Sequence, residues 1–203
     1  RLERGGAEHL AHDAVDGAKR LQKIAPFPVI VAEEILTPHG EIMGMFLQER
    51  IPSGISVEQA ISRIKEQGGL VCLPHPFDTL RGLKLENKEF EKLVGQIDVI
   101  EAFNARSLFN RCYTKARAFA LKHDIPITAG SDAHSPAEMG STYVEMPEFD
   151  GQKSFLESLR QGVLHRKRSS FLVHINSTVA RIKKSNANNQ VPRNNNQISS
   201  KPQ

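Results

Sequence analysis

The sequence has little cysteine, no long apolar run and, from residue 178 to its end, no acidic residue. Two cysteines in 203 residues, Cys72 and Cys112, give no basis for a disulfide framework. Both sit in apolar or helical patterns, so buried free thiols in a reducing compartment are expected. The lack of a paired Cys spacing argues against a structural zinc clasp. No stretch approaches the ~18 apolar residues of a membrane span, and nothing resembles a signal peptide, so a soluble cytoplasmic protein is expected. The chain starts at Arg1 rather than Met, which points to a fragment of a longer protein.

The missing acids of the C-terminus decide how the charge is read. Residues 178–203, "TVARIKKSNANNQVPRNNNQISSKPQ", carry five Lys/Arg. Without them 22 basic residues face 23 acidic ones, so the formal net charge of +4 belongs to this tail. The remainder is close to neutral and carries no general signal for nucleic acid. Nucleic-acid binding would rest on the tail alone, whose Asn, Gln and Ser predict disorder. One α/β domain over 1–177 and a basic tail over 178–203 follow.

Within the domain, short apolar runs alternate with amphipathic segments. Strands are expected over 28–36 and 41–47, parted by the turn "TPHG". A helix follows over 55–69, with Ser56 as its cap, Ile61 and Ile64 on one face and Gly68-Gly69 at its end. Then come strand 70–75, helix 88–97, strand 98–104, helix 110–124 and strand 125–132. Strand 141–147 and helix 150–162 close the series. This alternation predicts a parallel α/β architecture.

Polar residues of ligand type collect where these strands end: Glu33-Glu34, His75, Asn104 and the pair Asp132/His134 in "AGSDAH". In (β/α) barrels the carboxyl ends of the strands form the active-site face. Adding His12, Asp13 and Glu41 gives a set of imidazoles and carboxylates that suits Zn²⁺, Mn²⁺ or Fe²⁺. Each has a plainer reading. His12 and Asp13 can start a capped helix, Glu41 can be a surface glutamate, and His75 a satisfied core histidine. Glu33 and Glu34 are neighbours on a strand and cannot both face the core. Arg106, two residues beyond Asn104, can reach an anionic substrate or pair with a carboxylate. His39, His123, His165 and His174 read as turn, helix-surface and C-terminal residues. The run "HRKR" (165–168) reads as a solvated edge, with phosphate or nucleic-acid binding as the alternative.

"EE" after "VIVA", then "LPHPFD", "IEAFNAR" and "AGSDAH" in this order resemble the PHP (polymerase and histidinol phosphatase) superfamily, over about residues 1–162. The likeness is nearest its small-substrate phosphoesterases, of the nucleoside 3′,5′-bisphosphate phosphatase kind. It implies a distorted (β/α)7 TIM-like barrel with two or three divalent metals, Mn, Zn, Fe or Mg, at the strand ends. It also implies hydrolysis of small phosphomonoesters or nucleotide phosphoesters through a metal-activated water, with a small phosphorylated substrate, a nucleotide or a short oligonucleotide as partner. The implied metal ligands are His12, Glu34, Glu41, His75, Asp132 and His134; Asn104 and Arg106 would bind substrate. Where many members carry a histidine, this chain has Glu41. The family's first strand, bearing an "HxH" pair, is absent. A barrel lacking that strand, reduced to a non-catalytic ligand- or partner-binding protein, is therefore the competing expectation. Nothing in the sequence points to a membrane or to an obligatory protein partner.

Overall fold

The computed structural model describes residues 5–79, 81–84, 87–107 and 109–168, with side chains from Ala14 onward, Asn87 and Glu89 excepted. The expected tail over 178–203 and His174 lie outside the described residues.

The chain enters through α1 (Gly5–Gln22) and passes Pro26 and Pro28 before β1 (Ala32–Thr37). Prolines lack an N–H for a sheet ladder, which suits a strand that begins later than the apolar pattern implies. A short turn leads to β2 (Gly40–Met45), and a linkage this short can only make an antiparallel hairpin. α2 (Val57–Glu66) follows, capped by Ser56, whose hydroxyl accepts from Gln59 N while the Gln59 side chain accepts from Ser56 N. Next come β3 (Leu70–Leu73), α3 (Asn87–Leu93), β4 (Val99–Asn104), α4 (Asn110–Lys122) and β5 (Ile127–Gly130). The described part closes with β6 (Tyr143–Glu145), α5 (Gln152–Arg160) and β7 (Val163–His165).

Five strands form one sheet in the order β1-β2-β3-β4-β5, and β6 pairs with β7 separately. The expected parallel α/β architecture holds for β3, β4 and β5 and is corrected for β2, which is antiparallel to both β1 and β3. Among the described residues the sheet is open and no barrel is closed, so the architecture is a mixed α/β sheet. β1 and β3, each opposed to β2, still run in one direction. The carboxyl ends of β1, β3, β4 and β5 therefore share an edge with the start of β2.

Side chains alternate across this sheet with the strand period of two. On one face Ile35, Ile42, Val71, Leu73 and Ile100 are buried with Ile61 and Ile64 of α2 and Ala116 of α4. On the other, Met45, Leu70, Cys72 and Val99 pack against Phe155 and Leu159 of α5. Both cysteines are buried free thiols, as expected. No helix among the described residues is long and apolar enough to cross a membrane.

Candidate metal centre

The second face is apolar only near the α5 end. The register Glu34↔Met43↔Cys72↔Val99 sets one row, and the next residues toward the shared edge are acidic: Glu41 opposite Leu36, and Glu101 two beyond Val99. Glu33 points the other way. It is buried, and its Oε2 accepts from Ile51 N at 3.0 Å, so it fastens the segment after β2 and leaves Glu34 to the site. Glu34 lies within β1 rather than at its end, which corrects the strand-end placement. Glu41 is no isolated surface residue. Starting an antiparallel strand places it beside the ends of the parallel ones.

His75 follows β3 by two residues with φ +32, in the left-handed region that non-glycine residues rarely adopt. Its side chain is 1% exposed, with Nε2 3.2 Å from Glu41 Oε2 and 3.9 Å from Glu34 Oε1. Neither ring nitrogen is aligned in a hydrogen bond, although Nε2 lies close to Glu41 Oε2. Buried polar atoms without partners are uncommon and ask for a ligand. Burial disfavours the imidazolium, but the Glu41 and Glu101 carboxylates outweigh it and Arg81, and hold the His75 pKa above its ordinary value. The ligating atoms of Glu34, Glu41 and His75 all lie within 4.8 Å of one another. Partial burial and the neighbouring charge of Glu41 raise the Glu34 pKa to about 7, with Asp132 and Glu101 adding to the shift. Crowded carboxylates beside a buried imidazole whose Nε2 faces Glu41 and Glu34 are a donor set that fits a divalent cation.

Glu101 holds this cluster from beneath, and the motif reading passed it over. Its Oε2 accepts from His75 N and from Asn104 Nδ2, each at 3.1 Å, and burial raises its pKa. The glycine of "AGSDAH" serves the same carboxylate: a Cβ on Gly130 would lie 2.0 Å from Glu101 Oε1. An acid within the otherwise apolar run "DVIEAFN" was the signal available in the sequence.

Asp132 and His134 lie on the loop after β5 and are not part of the tight cluster. Asp132 has φ +48 and a largely buried side chain, and Arg81 Nη1 donates to its Oδ2 at 2.5 Å. His134 is half-exposed, and its Nδ1 donates to the Asp132 carbonyl at 2.9 Å. A carbonyl only accepts, so Nε2 is the nitrogen that keeps a lone pair. The loop is held by Glu138. Its Oε2 accepts from His134 N and Ser135 Oγ, and its Oε1 from Arg106 Nη1 at 3.2 Å.

Arg106 is thus buried and paired with a buried carboxylate, one of the two readings its sequence position left open. Asn104 is equally committed: Oδ1 accepts from Arg106 N and from Arg81 Nη2. Arg81, six residues after His75, carries no signal in the sequence, because nothing in that stretch marks a strand end. His12 falls inside α1, and its side chain lies outside the described residues; Asp13 lies within the helix rather than at its cap. His165 stacks on Tyr143 and pairs with Glu145, away from the cluster. Of "HRKR", Arg166 lies over the Tyr113 ring and Arg168 donates to Asn110. A crevice of about 10 Å³ lined by His75, Phe103, Asn104 and Tyr113 has room for about one water.

Residues 113–164, from α4 to β7, match the family model described as PHP-associated. The chain is 40% identical over 130 residues to an uncharacterized protein of Methanocaldococcus jannaschii, covering 61% of this chain and 54% of that one. A second uncharacterized protein of the same organism is 40% identical over 97 residues, 46% of this chain and 54% of its own length. The chain thus spans about half the length of the curated relatives it matches. Among solved structures, it resembles a two-domain Bacteroides vulgatus protein containing a predicted PHP-like metal-dependent phosphoesterase. The TM-score is 0.58 at 20% identity, over 75% of this chain and 48% of that one. It also resembles PsfC from Pseudomonas syringae, with a TM-score of 0.56 at 17% identity over 88% of this chain and 79% of that one. Residues 113–164 thus match a PHP-associated model, and the fold resembles that of a protein containing a predicted PHP-like phosphoesterase, in line with the resemblance read from the sequence.

Proposed function

We propose that this chain carries the metal site of a phosphoesterase that hydrolyses small phosphomonoesters or nucleotide phosphoesters. The observation that supports it most is His75, a buried imidazole in a strained backbone conformation whose Nε2 faces Glu34 and Glu41 with neither nitrogen hydrogen-bonded. In this reading Glu34, Glu41 and His75 hold one divalent cation. Asp132 and His134 Nε2, on the adjoining loop, extend the site to a second. His12 would add a further ligand.

Divalent cations in such a site supply Lewis acidity toward phosphoryl oxygens and a hydroxide nucleophile at neutral pH. The protein's own part is to place the donors. Glu101 fixes the His75 backbone, Asn104 orients Glu101, and Glu138 holds the loop that carries His134. A histidine engaged as a ligand cannot also donate a proton to the leaving group, so His75 and His134 are assigned as ligands. A phosphoester fits because its anionic oxygens are matched by the cations and by Arg81. Within that class, the resemblance favours a nucleoside 3′,5′-bisphosphate.

Metal analysis after Mn²⁺ loading and dialysis, with phosphate release from a panel of phosphoesters, tests the assignment. The wild-type chain is expected to retain metal and release phosphate, and His75→Ala and Asp132→Ala to lose both. Variants that keep full metal content and full activity would overturn it.

A further inference from the structure

The near-neutral charge of residues 1–177, which left nucleic-acid binding to the tail alone, hides a local excess. α4 carries Arg111, Lys115, Arg117 and Lys122 and no acid, and no acid follows Glu157 in the sequence. The fold lays the segment after β7 along the start of α4. The Arg166 guanidinium stands 4.2 Å from the centre of the Tyr113 ring and 5.6 Å from that of Phe103. Arg168 Nη2 donates to Asn110 Oδ1 at 2.7 Å. Cations from two elements thus share one flank. Among the described residues, Arg111, Lys115, Arg117, Arg166 and Lys167 are exposed, and no carboxylate forms an ion pair with any of them. Lys122, farther along the helix, meets Glu91. An aromatic ring is interleaved with these charges. Phe109, at the start of α4, is 47% exposed, with the Arg111 guanidinium 4.7 Å from its ring centre.

We infer that the flank formed by α4 and residues 166–168 is a docking surface for single-stranded nucleic acid. A group of like charges without counter-charges repels itself, and a polyanion laid across it relieves the repulsion. Arg111 and Lys115, one helical turn and about 6 Å apart along the axis, can meet successive phosphates of one strand. The exposed ring selects the kind of polyanion. A phenyl ring topped by a guanidinium is a platform on which a base can stack, and a duplex keeps its base faces stacked inside. An acidic peptide would match the charge and leave Phe109 unused. A lipid surface would call for an apolar helix face, whereas α4 buries Cys112, Ala116 and Ala120. The flank is also separate from the metal cluster. Ala116 and Ala120 pack with Ile100 and Ala102, whose side chains alternate along β4 with that of Glu101. The inference therefore needs no metal and stands apart from the phosphoesterase reading.

The test is fluorescence anisotropy of a labelled oligo-dT of about 15 nucleotides, titrated with the full chain in EDTA over a range of salt. Binding is expected to weaken with salt, with a slope of about 0.7 in log Kd against log salt for each phosphate contacted. Arg111→Gln/Lys115→Gln should weaken binding about tenfold and lower that slope by about 1.4. Phe109→Ser should weaken it about tenfold with the slope unchanged, which separates stacking from charge. Lys167→Gln, on the other element, gives a smaller loss and a second variant should one of these fold poorly. Arg181→Gln/Lys183→Gln/Lys184→Gln, in the basic tail, is the control and should keep most of the affinity. Full binding in the α4 and Lys167 variants, with loss in the tail variant, would move the site to the tail and overturn the inference. A wild-type chain that ignores oligo-dT would overturn it too, and sedimentation with phosphatidylserine vesicles would then assign the flank to a membrane. Each of these outcomes leaves the phosphoesterase reading standing.

Discussion

His75 and Asp132 hold positive φ values, as only Phe46 and Asp124 do among the other described non-glycine residues. Such conformations cost about 1–3 kcal/mol each and persist where the surroundings over-determine them. At His75 the determinant is Glu101, which accepts its backbone N–H, and Glu101 needs the space that Gly130 leaves open. Gly130→Ala therefore strikes the site rather than the fold. Glu101 must swing away, and His75 loses its backbone anchor. Mn²⁺ affinity is expected to fall by about 10–100-fold, the usual cost of losing a group that orients a ligand. The far-UV circular dichroism spectrum should be unchanged. Full affinity in that variant would remove Glu101 from its supporting part.

At the scale of elements, the loop from Asp132 to Glu138 is tied to the segment just after β4 by the ion pair Arg106–Glu138, with both side chains over nine-tenths buried. Removing one partner of a buried pair leaves the other charge uncompensated, so Arg106→Met is expected to cost about 3–5 kcal/mol in urea unfolding. Burial pushes the Glu138 carboxyl up. The hydrogen bonds from Ser135 and His134 N, with Arg106 beside it, outweigh that and hold its pKa below the ordinary value. A depressed folded value contributes stability that is fully present above the unfolded value and is lost as pH falls through the folded one. The urea midpoint of wild type should therefore drop more steeply below pH 5 than that of Glu138→Gln. Parallel profiles would show that this carboxylate does not set the acid limit.

For the molecule as a whole, the carboxylates of Glu34, Glu41, Glu101 and Asp132 gather near one edge of the sheet with Arg81, His75 and His134. A cation bound to this folded arrangement and not to the unfolded chain adds stability by mass action, about 2.7 kcal/mol at a hundredfold excess over Kd. Mn²⁺ is therefore expected to raise the thermal midpoint of the wild-type chain and EDTA to reverse it, with no effect in His75→Ala. A midpoint indifferent to Mn²⁺ would count against the site.

The sequence by itself determined the elements and marked most of the candidate ligands. Period-two and helical apolar patterns are local, and "LPHPFD" and "AGSDAH" place His75, Asp132 and His134 beside strands that the apolar runs already mark. The direction of β2 was equally implicit in the four letters of "TPHG", since so short a link excludes a parallel crossover. Tertiary structure alone decided which carboxylates meet. The antiparallel start of β2 delivers Glu41 to His75, strand alternation buries Glu33 and presents Glu34, and the "PFDTLRG" loop carries Arg81 across to Asp132, 51 residues away in sequence. These outcomes rest on register and loop closure between distant segments, which no local pattern encodes.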